Sequence, residues 1–285
     1  MKHKNREYFK KVSRRLRKQG FSLATIMVET KLPKSTAYGY IEDIELTKDQ
    51  RAEINRKRNE VSRNRINPRK GICLPGRHIK RLLGWNPQII HVVAHFMFDG
   101  HVRDSGCTYY NRSKYQIEHL KNLINQVFGI KPVLQLRTDG VMVMAFHNVE
   151  FGAYMKERIN KIFPYLKTKA TREEKRIFLK TFFDDEGNIY YNRKDKRRVR
   201  GYQDSREILQ NIAFLLKEFG IIARVDMHSK AVEFSGRENL MIFMHEINFS
   251  PLIFINPKRK NTIWQKEIEK REILEKAISS YSIKR

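Results

Sequence analysis

The chain of 285 residues has few cysteines and no long apolar run. Its two cysteines, Cys73 and Cys107, are too few for a disulfide framework or a four-cysteine zinc site. The first residues are mainly basic, with no apolar segment behind them. No run approaches the ~18 apolar residues of a membrane span. These absences argue against a secreted disulfide-rich protein and against a membrane protein, and they predict a cytoplasmic one.

Acidic residues are in the minority. The chain has 31 Asp and Glu against 58 Lys and Arg, a net charge of +27. Such an excess attracts a polyanion. An anionic membrane surface is one alternative, and a thermophile's charged surface is another, but the second explains many charges rather than their imbalance. The composition therefore predicts a nucleic-acid partner and no membrane partner.

Two nine-residue stretches of similar pattern lie 87 positions apart. The first, Val-Val-Ala-His-Phe-Met-Phe-Asp-Gly, ends at Gly100, and the second, Leu-Lys-Thr-Phe-Phe-Asp-Asp-Glu-Gly, ends at Gly187. Each is an apolar helical run that ends in an acid followed by glycine, a common helix stop. Alone, either stretch would indicate a core helix, but their repetition indicates two copies of one structural unit.

The segments that follow the two stretches have the same order. In the first copy we predict strands over 101–103 and 107–111, a helix over 114–128, strands over 133–137 and 141–146, and a helix over 150–163. In the second we predict strands over 188–191 and 198–202, a helix over 205–219, strands over 223–227 and 231–234, and a helix over 236–247. Asp139-Gly140 is a typical hairpin turn. The order is αββαββα, twice.

These features resemble the LAGLIDADG homing endonucleases over roughly residues 82–270. The first stretch departs from the family, with Val, Val, Ala and His where the family has Leu, Ala, Gly and Leu. The resemblance implies an α+β fold, a pseudo-two-fold pair of αββαββα domains with DNA-binding antiparallel sheets. We place the first repeat at 82–170 and the second, with a C-terminal helix, at 171–285.

The N-terminal part resembles the helix-turn-helix of DNA-binding regulators. Residues 23–30 and 35–41 are predicted helices around a turn at 31–33, so residues 1–50 would form a small all-α domain. Its second helix would enter the major groove with these side chains near bases or phosphates: Lys34, Ser35, Thr36 and Tyr38. The alternative is an ordinary helical hairpin. Residues 51–81 are predicted to be a basic linker along the phosphate backbone, or else a solvated tether.

The resemblance implies that the two repeated helices pack side by side and that their terminal acids meet over the scissile phosphates. A carboxylate at a helix C-terminus faces an unfavourable dipole, and a pair of carboxylates is costly unless a cation neutralises it. Oxygen ligands suit Mg²⁺ or Mn²⁺. We therefore predict catalytic acids and metal positions at Asp99 with Gly100 and at Glu186 with Gly187. The alternative is that both acids are ordinary helix-terminal surface acids.

The family also carries a lysine after the last helix of each repeat. Lys169 fits that place in the first repeat, and Lys258 or Lys260 fits it in the second, with the choice left open. The resemblance implies that these lysines act near the attacking water. The alternative for each is a phosphate contact or a solvated charge.

Sequence recognition in the family uses the faces of the sheets. Residues two apart in a strand share a face, so we count by twos from each acid and along the neighbouring strands. Arg and Asn can pair bidentately with base edges; for any single residue the alternative is edge-strand solubility. The predicted DNA contacts are His101, Arg103, Tyr109, Asn111, Arg137, Asn188, Tyr190, Asn192, Arg198, Arg200, Tyr202 and Arg224.

Two further patterns are weighed and set aside. His91 and His95 have the spacing of a zinc pair on a helix, but no further ligand completes that site. Asp184 matches a motif aspartate with a structural rather than catalytic role.

The resulting interpretation is a site-specific double-strand DNA endonuclease that acts as a monomer and needs a divalent metal. One alternative is a transcription regulator that keeps the fold without cleavage; another is an RNA-splicing maturase. An intein is disfavoured, since residue 1 is neither Cys nor Ser and no His-Asn pair ends the chain.

DNA binding should depend strongly on salt, because of the +27 charge. If about 8 phosphates are neutralised, the logarithm of the binding constant should fall against the logarithm of the salt concentration with a slope of about −7. Binding isotherms at several salt concentrations measure this slope. A slope shallower than about −2 would mean that the basic excess lies away from the interface.

Overall fold

The computed structural model describes residues 2–64, 78–80, 82–192, 196–257 and 263–283. The chain divides into two units, Met1–Lys70 and Gly71–Arg285. Among the helices so described, none has the length and apolar character needed to cross a membrane.

The first unit is all-helical. Its elements are α1 (Lys2–Lys18), α2 (Leu23–Thr30), α3 (Lys34–Ile41) and α4 (Lys48–Asn64). Ser22 begins α2 by accepting a hydrogen bond from the Thr25 amide at 3.2 Å. Ile26, Ala37 and Ile41 are buried and form a small core. The predicted pair of helices is therefore present, while its role in DNA binding stays a prediction.

The segment predicted to be a linker begins as a helix. Residues 51–64 continue α4, and ion pairs one turn apart, Glu53 with Arg56 and Arg56 with Glu60, support it. Residues 65–77 and 81 lie outside the described residues.

The second unit contains the two predicted αββαββα repeats in the predicted order. The first repeat comprises α5 (Pro87–Phe98), β1 (Gly100–Arg103), β2 (Gly106–Asn111), α6 (Lys114–Phe128), β3 (Val133–Leu136), β4 (Met142–Phe146) and α7 (Val149–Thr168). The second comprises α8 (Arg172–Asp185), β5 (Gly187–Tyr191), β6 (Arg197–Tyr202), α9 (Arg206–Glu218), β7 (Arg224–Asp226), β8 (Ala231–Ser235) and α10 (Arg237–Glu246). The helix α11 (Lys270–Ser279) and a short 3-10 helix (Ser280–Ile283) follow.

Each repeat forms a four-stranded antiparallel sheet. The strand orders are β1-β2-β4-β3 and β5-β6-β8-β7. One face of each sheet carries the buried apolar side chains and packs on the helices. We call the other face of each sheet its open face.

The helix α7 runs past the predicted stop before Pro164. It continues to Thr168, although a proline inside a helix removes one backbone hydrogen bond, at about 3 kcal/mol. The residues beyond Pro164 explain the continuation: Leu166 is completely buried, and the Tyr165 hydroxyl donates to Glu174 at 2.9 Å.

The two repeats pack through α5 and α8. Ala94 in α5 and Thr181 in α8 are small and buried, as close packing of two helices requires. The ring of Phe98 lies 5.5 Å from Phe178 and 5.0 Å from Phe182. A continuous apolar core therefore runs from one repeat into the other.

The second unit should fold without the first. A fragment that begins at residue 71 keeps the strap formed by residues 78–80, in which the Ile79 amide donates to Glu150 at 3.1 Å and the Lys80 amide to Phe128 at 3.2 Å. We expect cooperative unfolding of this fragment, and a lower midpoint for one that begins at residue 82, since the buried Ile79 is then lost. Thermal unfolding followed by circular dichroism measures both. An unfolded or insoluble 71–285 fragment would mean that the first unit is part of the core.

Candidate functional site

Asp99 and Glu186 occupy equivalent places at the ends of α5 and α8. Each is the C-cap of its helix, with its amide bonded to the last turn: Asp99 to His95 at 3.1 Å, and Glu186 to Phe182 at 2.8 Å. Each carbonyl accepts a hydrogen bond from the adjacent strand of its own sheet. The backbone therefore holds the two acids in matching positions.

The glycines after the acids are required by close packing. A Cβ atom would lie 2.4 Å from the Phe96 carbonyl oxygen at Gly100, and 2.2 Å from the Phe183 carbonyl oxygen at Gly187. Only glycine allows the chain to turn from helix to strand so close to the last turn. Their predicted role at a metal stays a prediction.

Both acids line one cleft of about 1380 Å³. Burial, together with the negative charge of the nearby Asp185, raises the pKa of Asp99 to about 8. The pKa of Glu186 is also raised to about 8. Burial is the largest cause, and the negative charges of Asp99 and Asp185 act in the same direction. The two acids are therefore close enough to repel each other, and both take up protons when no cation is present.

A third carboxylate, Asp185, lies buried beneath the pair. It contacts His95 Nδ1 at 2.7 Å, accepts from the Tyr109 hydroxyl at 3.1 Å and accepts from Gln116 Nε2 at 3.4 Å. Burial raises the pKa of Asp185 well above its usual range and lowers the pKa of His95 to about 3. Both shifts favour the neutral forms, so the contact between Asp185 and His95 is a hydrogen bond rather than an ion pair.

The same network reaches Asp99. Asn111 Nδ2 donates to Asp99 at 3.2 Å and to the Tyr109 hydroxyl at 2.9 Å. Asp99 of the first repeat is thus connected through Asn111 and Tyr109 to Asp185 of the second.

The predicted DNA contact at Tyr109 is wrong. Tyr109 is fully buried. It pairs with Gly100 across β1 and β2, which turns its ring toward the helices rather than the open face. Asn111 shares that side of the strand, and its amide is directed to Asp99 rather than to the open face.

The contact between the two repeats is asymmetric. By the repeat spacing, Phe182 is the counterpart of His95, and Asp185 is the counterpart of Phe98. On one side of the contact, therefore, two phenyl rings lie 5.0 Å apart, while on the other an imidazole meets a carboxylate at 2.7 Å.

Lys270 supplies a buried cation to the site. Its ammonium donates to the carbonyls of Asp184 at 3.0 Å and Phe183 at 3.3 Å, at the C-terminus of α8. Its charge lowers the pKa values of Asp99 and Glu186, against the larger effect of burial.

The sequence carried a signal for Lys270 that we missed. The buried residues of α11 are spaced as one helical face, and Lys270 occupies the first position of that face: Lys270, Ile273, Leu274, Ala277 and Ile278. A lysine on an apolar face indicates a buried partner for its charge.

The predicted catalytic role of Lys169 is wrong. Lys169 is exposed and follows α7 directly before α8. The 14 residues of α8 separate it from Glu186, a distance of about 21 Å along the helix. Lys258 and Lys260 lie outside the described residues.

The predicted DNA contacts of the second repeat largely meet in the cleft, where they face the acids from the open face of the second sheet: Asn188, Tyr190, Arg198, Arg200 and Tyr202. Arg224 shares this face. Asn192 accepts from the Lys196 amide at 3.0 Å and so closes the β5–β6 connection.

The other predicted contacts lie outside the cleft. His101 and Arg103 are exposed on the first sheet, and Arg137 pairs with Asp139 at 3.3 Å. In the first unit, Lys34, Ser35 and Tyr38 are exposed and Thr36 is half-buried.

The residues at the helix ends suit a hard cation that keeps part of its hydration shell. Across the described ranges, no group of three or more His, Cys, Asp or Glu side chains is arranged to hold a metal. Mg²⁺ commonly binds through one or two carboxylates together with waters and substrate phosphates. Two carboxylates that repel each other in an open cleft fit that mode better than a closed protein cage.

The described structure thus contains two αββαββα repeats, which pack through helices that end in acids. Residues 173–248, which make up most of the second repeat, match the family model described as a LAGLIDADG-like domain. The α+β fold that the sequence predicted is confirmed by the order of the elements and by the two antiparallel four-stranded sheets.

Solved structures show the same likeness at low identity. The chain is similar to variants of the homing endonuclease I-DmoI (16% identity, 58% of this chain and 94% of the other, TM-score 0.45) and to the N-terminal LAGLIDADG domain of DUF199/WhiA (13%, 60% and 88%, 0.45). It is also similar to the homing endonuclease I-WcaI bound to its DNA recognition sequence (14%, 59% and 86%, 0.45). No curated protein sequence matches the chain.

The acid pair should make the metal-free protein less stable as pH rises. The folded-state pKa values of about 8 exceed those of the unfolded chain, so between about pH 4 and pH 8 the folded protein holds protons that unfolding releases. This contribution is complete below pH 4 and is lost as pH rises through 8. Asp99→Asn removes one titrating group, so its stability relative to wild type should increase from about pH 4 to about pH 8 in EDTA and then level off.

Urea unfolding of both proteins measures this difference. Mg²⁺ should stabilise wild type at the higher pH and have less effect on the variant. A difference that stays constant with pH would contradict the buried, repelling pair.

Proposed function

We propose that this protein is a site-specific double-strand DNA endonuclease that depends on a divalent cation. The observation that carries the proposal is the meeting of Asp99 and Glu186, at equivalent helix ends, in one cleft rimmed by arginines. Both acids have pKa values near 8. A protein that only binds DNA gains nothing from two such carboxylates facing phosphates.

DNA binding rests on charge and on the sheets. The net charge of +27 supplies sequence-independent attraction to phosphates. The open faces present Arg, Asn and Tyr side chains, and Arg and Asn make bidentate contacts with base edges in the major groove. One chain contains both acids, so a monomer is sufficient for the site.

The chain's own residues perform most of the mechanism. Asp99 and Glu186 would hold the cation, and Asn111 orients the Asp99 carboxylate by its hydrogen bond. Lys270 offsets the negative charge at the end of α8 and holds its last carbonyls in place. When bound, Mg²⁺ or Mn²⁺ lowers the pKa of water and stabilises the leaving oxygen.

A regulator that binds DNA without cutting is the second candidate. The helix pair α2–α3, with Lys34, Ser35 and Tyr38 exposed, favours it, since this arrangement is typical of DNA-binding regulators. Selection of cleaved sites from a randomised duplex pool in Mg²⁺, beside selection of bound sites in EDTA, separates the two. Recovery of bound sites without any cleaved ones would support the regulator.

Asp99→Asn and Glu186→Gln should each abolish double-strand cleavage of the selected site and leave binding within about threefold of wild type. Each change removes the charge that holds the cation and keeps the shape of the side chain. Gel assays of cut and nicked plasmid in Mg²⁺ measure cleavage, and titration in EDTA measures binding.

Asp104→Asn is the matched control. Asp104 is almost fully exposed in the β1–β2 turn, and the same charge change there should leave cleavage intact. Full cleavage by either variant of the acid pair would reject the assigned site.

A further inference from the structure

Glu233 lies in the middle of the open face of the second sheet. The strand pairing places it in one row across all four strands, which consists of Asn188, Arg200, Glu233 and Arg224. It is therefore a carboxylate on the surface where the proposed function places DNA.

Three arginines from two neighbouring strands meet on this carboxylate. Arg200 Nε and an Arg224 guanidinium nitrogen donate to it in short contacts, and Arg198 donates at 3.4 Å. Only 10% of the Glu233 side chain is exposed. Burial raises its pKa, but the hydrogen bonds from Arg224 and Arg200 outweigh burial and hold the pKa below its usual range. Glu233 is therefore ionised, and its carboxylate accepts hydrogen bonds from all three arginines.

The first sheet has no such cluster. His101 follows Asp99 by two positions, as Asn188 follows Glu186, so the equivalent row consists of His101, Thr108, Ala145 and Val133. That row contains neither a carboxylate nor an arginine. The cluster is therefore a property of the second half of the chain, and the fold itself does not require it.

A bound carboxylate changes what an arginine does on DNA. A free guanidinium moves on its flexible stem and pairs with phosphates, which are the same for every sequence. A guanidinium held in one plane keeps donors for the two acceptors of guanine and loses less freedom when it binds them. The carboxylate also repels phosphates that approach the face.

We propose that Glu233 is a specificity-determining residue, which holds Arg198, Arg200 and Arg224 for contact with base edges and keeps them from phosphates. This proposal rests on the proposed DNA-binding function and deepens it. The second sheet would then discriminate among sequences more strongly than its charge alone allows.

The test compares two duplexes, the one recovered by site selection and one of the same composition with scrambled sequence, in EDTA so that no cutting occurs. Glu233→Gln should bind the scrambled duplex more tightly and lower the ratio of specific to non-specific affinity by about 10-fold or more. Its salt slope on the scrambled duplex should be steeper by about 1, because one more cation is available to phosphates.

Two matched variants separate orientation from bulk charge. Glu207→Gln makes the same charge change at an exposed position on α9, the helix that packs on the opposite side of β7 and β8, and should alter the ratio by less than about twofold. Glu233→Gln with Arg206→Gln restores the net charge and should keep the lowered ratio.

An unchanged ratio in Glu233→Gln, or a ratio restored by Arg206→Gln, would overturn the proposal. In either case, site-specific binding is retained if the wild-type protein still prefers the selected duplex. If the wild-type protein binds both duplexes equally, the site-specific function itself is rejected. Thermal unfolding checks that each variant is folded. If Glu233→Gln is unfolded, Glu233→Asp replaces it: the charge is kept, the reach is one methylene shorter, and the ratio should fall in the same direction.

Discussion

The packing of α5 against α8 is the contact on which the rest of the second unit depends. It joins the cores of the two repeats through Phe98 and Phe182, and it places both helix C-termini side by side. The dipoles of both helices then oppose the carboxylates that follow them. Placing two carboxylates at adjacent helix C-termini is unfavourable in itself. The apolar packing of α5 against α8 provides the stability that offsets it.

The groups that offset this charge come from outside the repeated motif. Lys270 lies on α11, Asn111 and Tyr109 lie on β2, and Gln116 lies on α6. Each contacts an acid or a carbonyl at the helix ends. The motif therefore positions the acids, while the surrounding elements determine whether those acids can remain charged.

Local patterns predicted the elements well, because the apolar periodicity and the repeat spacing lie within short segments; α6 begins and ends where its pattern indicated. The predictions that failed concern side chains whose positions depend on residues distant in the sequence. Tyr109 turns inward because of how β2 pairs with β1, and Lys169 is remote from the acids because α8 follows it at once. Glu233 lies in an apolar strand, and only the arrangement of three neighbouring arginines shows why a carboxylate is there.

The asymmetric contact between the helices has a consequence for self-association. A pair of two second repeats would place the Asp185 carboxyl against the phenyl ring of Phe182, and a pair of two first repeats would place the His95 imidazole against Phe98. Each would bury a polar group without its hydrogen-bond partner. Only the mixed pair satisfies both sides, so this contact favours a first repeat against a second repeat over two copies of the same repeat.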